Sequence, residues 1–272
     1  MSSSKRISIS IQPVNYADVH ACAQITANAF AVDPHTIVKN LGQEPYDMYG
    51  IIRSMFLGTL HRRRQIWVKA VDEETGEIIG HAGWAFPRAD EALVPRKGPV
   101  DDESAAKDLR DKTGNASQRK NDGPVEHKTG GEKKKREGGE EDSIDRLKAL
   151  EDRDMEHWQT NIIPKDKPCM LITGLHVPIS HQSRGVGSAL LRHGNAIADK
   201  LGLTIWVHSS HQAYEAYRKA GFEAVRVLDL DLDEWAPRAP MDHEEVMGVK
   251  GSGKWGRYII RYMKREPAKQ AS

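Results

Sequence analysis

The sequence has few cysteines and no long apolar run. Its two cysteines, Cys22 and Cys169, are too few for a disulfide framework in 272 residues and fit a reducing compartment. No apolar stretch approaches the ~20 residues of a membrane span. The N-terminus runs into alternating isoleucine and serine instead of the apolar core of a signal peptide. We therefore expect a protein of the cytosol, or of the cytosol and nucleus, with no membrane partner.

An excess of charge of either sign is also absent. Lys plus Arg number 40 and Asp plus Glu number 39, so the formal net charge is +1. Such a balance gives no general attraction to nucleic acid, and no nucleic-acid partner is expected. No group of Cys and His has the spacing of a metal site, so no metal is expected. A phosphate-binding NTPase is disfavoured because no Gly-x-x-x-x-Gly-Lys-Ser/Thr motif occurs.

Aromatic residues are absent, and large aliphatic residues scarce, between residues 88 and 142. Such a composition buries too little apolar area to offset an ordering entropy of about 1–2 kcal/mol per residue. We therefore expect 88–142 to be a disordered, charged insertion within a single domain that spans 1–272. The basic run at 133–136 is typical of a nuclear-localisation or nucleic-acid patch, or of a solvated charge run. Its Glu-rich neighbours and the missing aromatics favour the solvated charge run.

Periodicity outside the insertion predicts an α/β (α+β) order of elements without internal repeats. Strands are predicted at 7–14, 65–71, 77–86, 170–177, 203–208, 222–230 and 257–264. Helices are predicted at 15–30, 46–63, 143–161, 187–201 and 211–220.

The most informative segment is a strand that runs through a glycine-bearing turn into a helix, at residues 175–191. The spacing Gln182-x-x-Gly185-x-Gly187 opens this helix. The first N–H groups of a helix have no partner within it, and together with the helix dipole they attract anions. The segment therefore predicts a phosphate-binding site. Close packing of helix on strand is a purely structural alternative explanation for the two glycines.

This spacing is similar to the pyrophosphate-binding loop of the Gcn5-related N-acetyltransferase (GNAT) family. The strand at 175–177 resembles the family's fourth strand, and residues 217–222 resemble its Tyr-x-Lys-x-Gly-Phe element. The hairpin that ends in residues 80–84 resembles the second and third strands. The similarity covers residues 7–264 apart from the insertion, and it is greatest to fungal-type members of the family.

The resemblance implies a GNAT fold, which is a mixed, mostly antiparallel sheet of about six to seven strands, splayed between the fourth and fifth and flanked by helices. It also implies acetyl-coenzyme A as co-substrate, with its diphosphate on the loop and its pantetheine arm along the fourth strand. The residues implied to bind it are Leu175, His176, Val177, Gln182, Ser183, Arg184, Gly185, Val186, Gly187, Ser188 and Ser210. At Arg184 the backbone N–H, not the guanidinium, is the implied contact.

Tyr217 is the residue to which the resemblance assigns a catalytic side chain. In the family the equivalent hydroxyl lies near the coenzyme sulfur and protonates the departing thiolate. A tyrosine with a pKa of ~10 can donate its proton to the thiolate, whose conjugate thiol has a pKa of ~8.5. A buried tyrosine capped by a hydrogen bond is the structural alternative, and Tyr214 is the alternative donor. The resemblance also implies that the backbone N–H of Val177 holds the oxyanion.

The sequence alone does not identify the general base. Many relatives carry Glu two residues before the Leu of Leu-x-Val, where this chain has Thr173, which cannot accept a proton. His176 is on the same strand but faces the opposite side. His208 and His211 lie near the expected splay. Each histidine also has an ordinary structural interpretation, and a water chain to bulk solvent is a further alternative.

The implied function is an acetyl-coenzyme A-dependent N-acetyltransferase that transfers the acetyl group directly to a primary amine of a small molecule. A protein or peptide N-acetyltransferase is one alternative. A coenzyme A-binding module without turnover is another, suggested by Thr173. The acceptor pocket of this fold is built from the first two helices and the segment before the last strand. In that segment, 235–256, the acidic residues form either a site for a cationic amine or an ordinary surface: Asp242, Glu244 and Glu245.

Overall fold

The protein is described by a computed structural model over residues 7–107 and 142–268. Its strands are β1 (Ile9–Pro13), β2 (Gln65–Asp72), β3 (Ile78–Ala85), β4 (Met170–His176), β5 (Ile205–Ser209), β6 (Glu223–Asp231) and β7 (Arg257–Arg265). Its helices are α1 (Val19–Ala31), α2 (Pro34–Lys39), α3 (Met48–Thr59), α4 (Ser104–Lys107), α5 (Ser143–His157), α6 (Val186–Leu201), α7 (Tyr214–Lys219) and α8 (Leu232–Trp235).

The described strands form one sheet in the order β1-β2-β3-β4-β5-β7-β6. All neighbours are antiparallel except β4 and β5, which are parallel. These two strands pair only at Met170 with Ile205 and at Leu171 with Trp206. Both strands continue past this short pairing and diverge. The mixed, mostly antiparallel sheet with a splay between the fourth and fifth strands is therefore confirmed.

A local irregularity in β4 decides which of its side chains face each side of the sheet. Gly83 lies opposite Gly174, whereas Trp84 lies opposite Ile172, so Thr173 is an extra residue, as in a β-bulge. Because of this extra residue, the side chains of Ile172 and Leu175 lie on the same side of the sheet. Both pack into the core beneath α6. Thr173 is exposed beside the splay.

Helices cover both faces of the sheet. On one face, Leu190 of α6 shares a hydrophobic core with Trp84 and Met170 of the sheet. Gly194 of α6 permits this packing, because a Cβ there would lie 2.4 Å from the indole of Trp84. On the other face α1 and α3 cover β2 and β3, while α2 and α5 cover β5 and β7 around Tyr262. Each face of the sheet is thus part of a hydrophobic core.

The short helix α2 was not predicted, although the sequence carries its start signal. Asp33 precedes Pro34, and its carboxylate accepts a hydrogen bond from the N–H of Thr36 at 2.9 Å. An acidic N-cap followed by proline at the first helical position is typical of a helix start. The helix lies beside α5, on the face of the sheet opposite α6.

Residues 88–107 belong to the packed fold, and the expectation that disorder begins at residue 88 is wrong. Val94 is buried. The Asp101 carboxylate accepts a hydrogen bond from the backbone N–H of Tyr16 at 2.8 Å. Small side chains and capping hydrogen bonds hold this stretch, so the scarcity of large apolar residues is misleading here. The rest of the expected insertion, 108–141, lies outside the described residues.

Candidate active site

The predicted phosphate loop connects β4 to α6. Ser183 has a φ of +58° and Gly185 a φ of +90°, so the chain turns twice through the left-handed region before the helix. The N–H of Ala189 donates to the carbonyl of Gly185 at 2.9 Å, across the start of the helix. The N–H groups of the preceding residues, Val186 to Ser188, have no partner within the helix and lie at its positive end.

The space around this loop distinguishes the two explanations of its glycines. A Cβ at Gly185 would meet no atom within 4 Å, and only its φ of +90° favours glycine. A Cβ at Gly187 would lie 3.8 Å from Val177 Cγ2 and 3.9 Å from Leu175 Cδ2, which is ordinary contact. Packing inside the protein therefore does not require glycine at 187. The open space fits a phosphate group that approaches the backbone closely.

The remaining loop residues present backbone to solvent. Gln182, Ser183, Arg184 and Ser188 are exposed. The side-chain amide of Gln182 donates to the carbonyl of Val177 at 3.2 Å. This hydrogen bond fixes the loop to the end of β4.

One edge of β4 is free beside the splay. Leu175 pairs with Ala82 and His176 with His81 across the β3–β4 ladder. On the opposite edge, no described strand pairs with β4 beyond Leu171. An extended ligand can therefore add to that edge through backbone hydrogen bonds.

The side chain of His176 points away from the loop into the interior. Its ring lies 5.5 Å from the centroid of Phe30 and 5.0 Å from that of His81. Within the described residues, the Nδ1 atoms of both histidines are buried without a hydrogen-bond partner. Burial lowers the pKa of His176 to about 4, and burial followed by the nearby His176 lowers the pKa of His81 well below its ordinary value. Both side chains are therefore neutral structural groups at pH 7.

This buried pair predicts an acid-sensitive stability. In the unfolded chain a histidine takes up a proton near pH 6.5, whereas folded His176 does so only near pH 4. The free energy of unfolding should thus be highest above pH 6.5 and fall towards pH 4, by about 3 kcal/mol for His176. Urea unfolding at pH 7.0, 5.5 and 4.5 measures this loss. His176→Phe should reduce the fall, and parallel pH curves for the two proteins would contradict the assignment.

Tyr217 lies on α7 and belongs to the hydrophobic cluster beneath α6. Its side chain is 5% exposed, and its ring lies 5.3 Å from the centroid of Phe222. No described residue forms a hydrogen bond with its hydroxyl. Burial raises the pKa of Tyr217, so the hydroxyl keeps its proton at neutral pH. The ring of the neighbouring Tyr214 contacts the guanidinium of Arg261, which lies 4.0 Å from its centroid.

The loop between β5 and α7 is tied to its surroundings by hydrogen bonds. The carbonyl of Ser210 accepts from the hydroxyl of Ser209 at 2.9 Å. Gln212 donates to the carboxylate of Asp33 at 2.9 Å. The Nδ1 of His211 accepts from the N–H of Ile259 at 3.1 Å, which assigns His211 a structural role.

The helix α5 forms a wall beside α2 over β5 and β7, a location that its amphipathic pattern alone does not predict. Its Glu151 binds Lys39 of α2 at 2.5 Å and also contacts His35. Burial opposes ionisation of Glu151, but the hydrogen bond and charge of His35 and the charge of Lys39 lower its pKa to about 2. After α5 a π-helical turn, Trp158–Ile162, places Trp158 5.2 Å from the ring of Tyr262.

Two of the three acidic residues singled out in the segment 235–256, Glu244 and Glu245, are held in ion pairs. Glu244 makes a paired contact with Arg238, with both N···O distances at 2.7 Å. The hydrogen bond from Arg238 lowers the pKa of Glu244 to about 2. Glu245 pairs with Lys250 at 3.2 Å on the surface. An ordinary ion-paired surface therefore describes these two acids better than a site for a cationic amine.

Neither a metal centre nor a membrane-spanning helix is found within residues 7–107 and 142–268. In these ranges no group of three or more His, Cys, Asp or Glu side chains is arranged to hold a metal ion. None of the helices in them has the length and apolar character needed to cross a membrane.

Comparison with known proteins gives a match to one family model and likenesses to solved structures. Residues 152–222 match the family model described as the acetyltransferase (GNAT) family. The structure of arylalkylamine N-acetyltransferase 2 from Aedes aegypti superimposes with a TM-score of 0.51 at 13% identity, covering 96% of this chain and 100% of that one. A histone acetyltransferase HPA2 and related acetyltransferase from Corynebacterium glutamicum is 20% identical, with a TM-score of 0.49 and coverage of 98% and 100%.

No curated protein sequence matches the chain significantly. The Aedes aegypti structure shows the fold, and the family match covers the segment that carries β4, the loop, α6, β5 and α7. The described chain thus has the N-acetyltransferase fold, and its segment 152–222 matches the GNAT family, whose reaction is acetyl-coenzyme A-dependent acetylation.

Proposed function

We propose that this chain is an acetyl-coenzyme A-dependent N-acetyltransferase that transfers the acetyl group directly to a primary amine of a small molecule. The observation that carries this proposal is the loop at 182–188. Its backbone N–H groups lie at the start of a 16-residue helix, beside open space and at the mouth of the β4–β5 splay. Such a helix end favours a diphosphate.

The residues of the site fit acetyl-coenzyme A along its length. The N–H groups of the loop and of the first turn of α6 would hold the diphosphate, with Gly185 and Gly187 leaving room for it. The free edge of β4 at Leu175, His176 and Val177 would hold the pantetheine arm through backbone hydrogen bonds. Ser210 lies on the opposite side of the splay, after β5. When bound, acetyl-coenzyme A supplies an electrophilic thioester carbonyl.

In the proposed reaction, the protein orients the reactants and transfers protons to and from them. The amine nitrogen forms a bond to the acetyl carbon while the carbon–sulfur bond breaks. The backbone N–H of Val177 is proposed to donate to the carbonyl oxygen as charge develops there. The hydroxyl of Tyr217 is proposed to give its proton to the leaving sulfur. Its lack of a hydrogen-bond partner among the described residues supports this role.

A small acceptor is favoured by the elements that cover the acceptor face. Helices α2 and α5 are locked together there by the Lys39–Glu151 ion pair. The alternatives are a protein or peptide acceptor and a coenzyme A-binding module without turnover. Likeness to fungal-type GNAT members rests on sequence resemblance alone. Residence in the cytosol, or in the cytosol and nucleus, is part of the same proposal and is supported by two free, buried cysteines, Cys22 and Cys169.

An acceptor screen separates these alternatives. The wild-type protein is incubated with acetyl-coenzyme A and, separately, with phenylethylamine, tryptamine, spermidine, glucosamine and lysine-bearing peptides. Free thiol release and the mass of the product are measured. We expect acetylation of at least one of the small amines, because the acceptor face is covered. Acetylation confined to the peptides would favour the protein acetyltransferase, and binding of acetyl-coenzyme A without any product would favour the module without turnover.

A further inference from the structure

His208 lies on β5 at the point where β5 separates from β4. It lies two residues beyond Trp206, the last residue of β5 that pairs with β4, just as Thr173 lies two residues beyond Leu171 on β4. Both His208 and Thr173 are exposed. The two strands therefore present one exposed side chain each where they begin to separate, and of the two only His208 carries a basic nitrogen.

The surroundings of His208 fix its ring on the acceptor face. It lies directly opposite Tyr262 in the β5–β7 ladder, with ring centroids 5.1 Å apart. The indole of Trp158, from the turn after α5, lies 6.4 Å away. Directly opposite residues of an antiparallel pair share a face, so His208 is on the side covered by α2 and α5. The aromatic contacts restrict the ring without using its nitrogens.

The carboxylates that face His208 belong to two separate ion pairs, and Oδ2 of Asp154 has no hydrogen-bond partner among the described residues. Glu151 of α5 binds Lys39 and His35 of α2, and Asp154 of α5 accepts a hydrogen bond from Arg226 of β6 at 3.0 Å. No described residue forms a hydrogen bond with the ring nitrogens of His208. Desolvation by the surrounding protein lowers the pKa of His208 to about 4, with Glu151 opposing this effect, so the ring is neutral at pH 7.

The other candidates for this task have different positions. The side chain of His176 is buried between Phe30 and His81. His211 uses Nδ1 to accept a backbone hydrogen bond from β7. Thr173 is exposed but is not a base. Among the histidines of the described residues near the splay, His208 alone combines exposure with free ring nitrogens.

We propose that His208 is the general base of the reaction. This inference rests on the proposed function. As the amine nitrogen bonds to the acetyl carbon, the amine loses one proton to a ring nitrogen of His208. The carbon–sulfur bond breaks, and the sulfur takes a proton from Tyr217. His208 then releases its proton to solvent, and Tyr217 regains one, so each turnover leaves both residues as they began.

The test compares His208→Ala with His157→Ala, which removes an exposed histidine of the same wall. Acetyl-coenzyme A binding is measured by calorimetry, and kcat is measured with the best amine of the acceptor screen. We expect His208→Ala to lower kcat by ~100-fold or more at unchanged coenzyme affinity. Added imidazole should restore the rate in proportion to its concentration, since it can enter the space left by the ring. The His157 variant should match the wild type.

Three results overturn the proposal. The first is a His208→Ala kcat within about threefold of the wild type. The second is a loss of kcat that imidazole does not restore, which assigns His208 to positioning. The third is wild-type protein that binds acetyl-coenzyme A but acetylates no amine, which also removes the proposed function. Should His208→Ala fail to fold, His208→Gln preserves the bulk of the side chain and should show the same loss of kcat.

Discussion

Replacing Gly187 with glutamate is expected to abolish the binding of acetyl-coenzyme A while the protein stays folded. The new carboxylate would lie in the first turn of α6, where the diphosphate is proposed to bind, and like charges repel there at short range. We expect the dissociation constant to rise by about 100-fold or more. Calorimetric titration of acetyl-coenzyme A into the variant measures this loss.

The same substitution should not destabilise the protein, which makes the result specific to the ligand. A Cβ at Gly187 would lie no closer than 3.8 Å to the atoms it would meet. Glutamate is a better helix former than glycine by about 0.5–1 kcal/mol, and an acidic side chain in the first turn favours the helix dipole. The melting temperature should therefore match or exceed that of the wild type.

Arg192→Glu is the matched control for this substitution. Arg192 is exposed on the same helix, more than one turn beyond the loop, and its replacement changes the net charge even more. Its affinity for acetyl-coenzyme A should remain within about threefold of the wild type, because charges beyond the first turn contribute little at a helix terminus. Equal losses of affinity in the two variants would indicate a general effect of charge. They would contradict the assignment of the loop as the diphosphate site.

Replacing Tyr217 with phenylalanine should lower kcat by ~100-fold or more. Phenylalanine preserves the ring that lies 5.3 Å from Phe222 and removes only the hydroxyl. That hydroxyl has no hydrogen-bond partner among the described residues, so its removal leaves no partner unpaired. The affinity for acetyl-coenzyme A and the free energy of unfolding should thus change little. Steady-state kinetics with the best amine of the screen, alongside calorimetry, separates the two effects.

Tyr214→Phe is the control that tests which tyrosine donates the proton. Its ring carries the guanidinium of Arg261 at 4.0 Å, and phenylalanine can carry it as well. We expect a kcat close to that of the wild type. A large loss in this variant, with an unchanged rate in Tyr217→Phe, would reverse the assignment. An unchanged kcat in both variants would indicate that solvent protonates the departing sulfur.

The longest periodic elements and the loop were predictable from the sequence because their signals are local. The apolar run of β4, the glycines before α6 and the amphipathic pattern of α6 all lie within one short stretch, 170–201. The splay followed from the resemblance to a known fold, and the pairing of β4 with β5 at only two positions confirmed it.

The features that the sequence did not predict depend on distant contacts. The bulge at Thr173 is visible only from the pairing of β4 with β3. The packing of 88–107 depends on capping of a helical segment 85 residues earlier, by Asp101 at Tyr16. The location of α5 depends on an ion pair between Glu151 and Lys39, which are 112 residues apart. Amphipathicity predicts such a helix but not the face that it covers.

The central claim is that the loop after β4 binds acetyl-coenzyme A. The most direct measurement is a calorimetric titration of acetyl-coenzyme A into the folded wild-type protein. We predict one molecule bound per chain, with a dissociation constant on the order of micromolar or tighter, and displacement by free coenzyme A. Folded protein that gives no binding heat, and no shift in melting temperature at millimolar acetyl-coenzyme A, would contradict the claim and the acetyltransferase function with it.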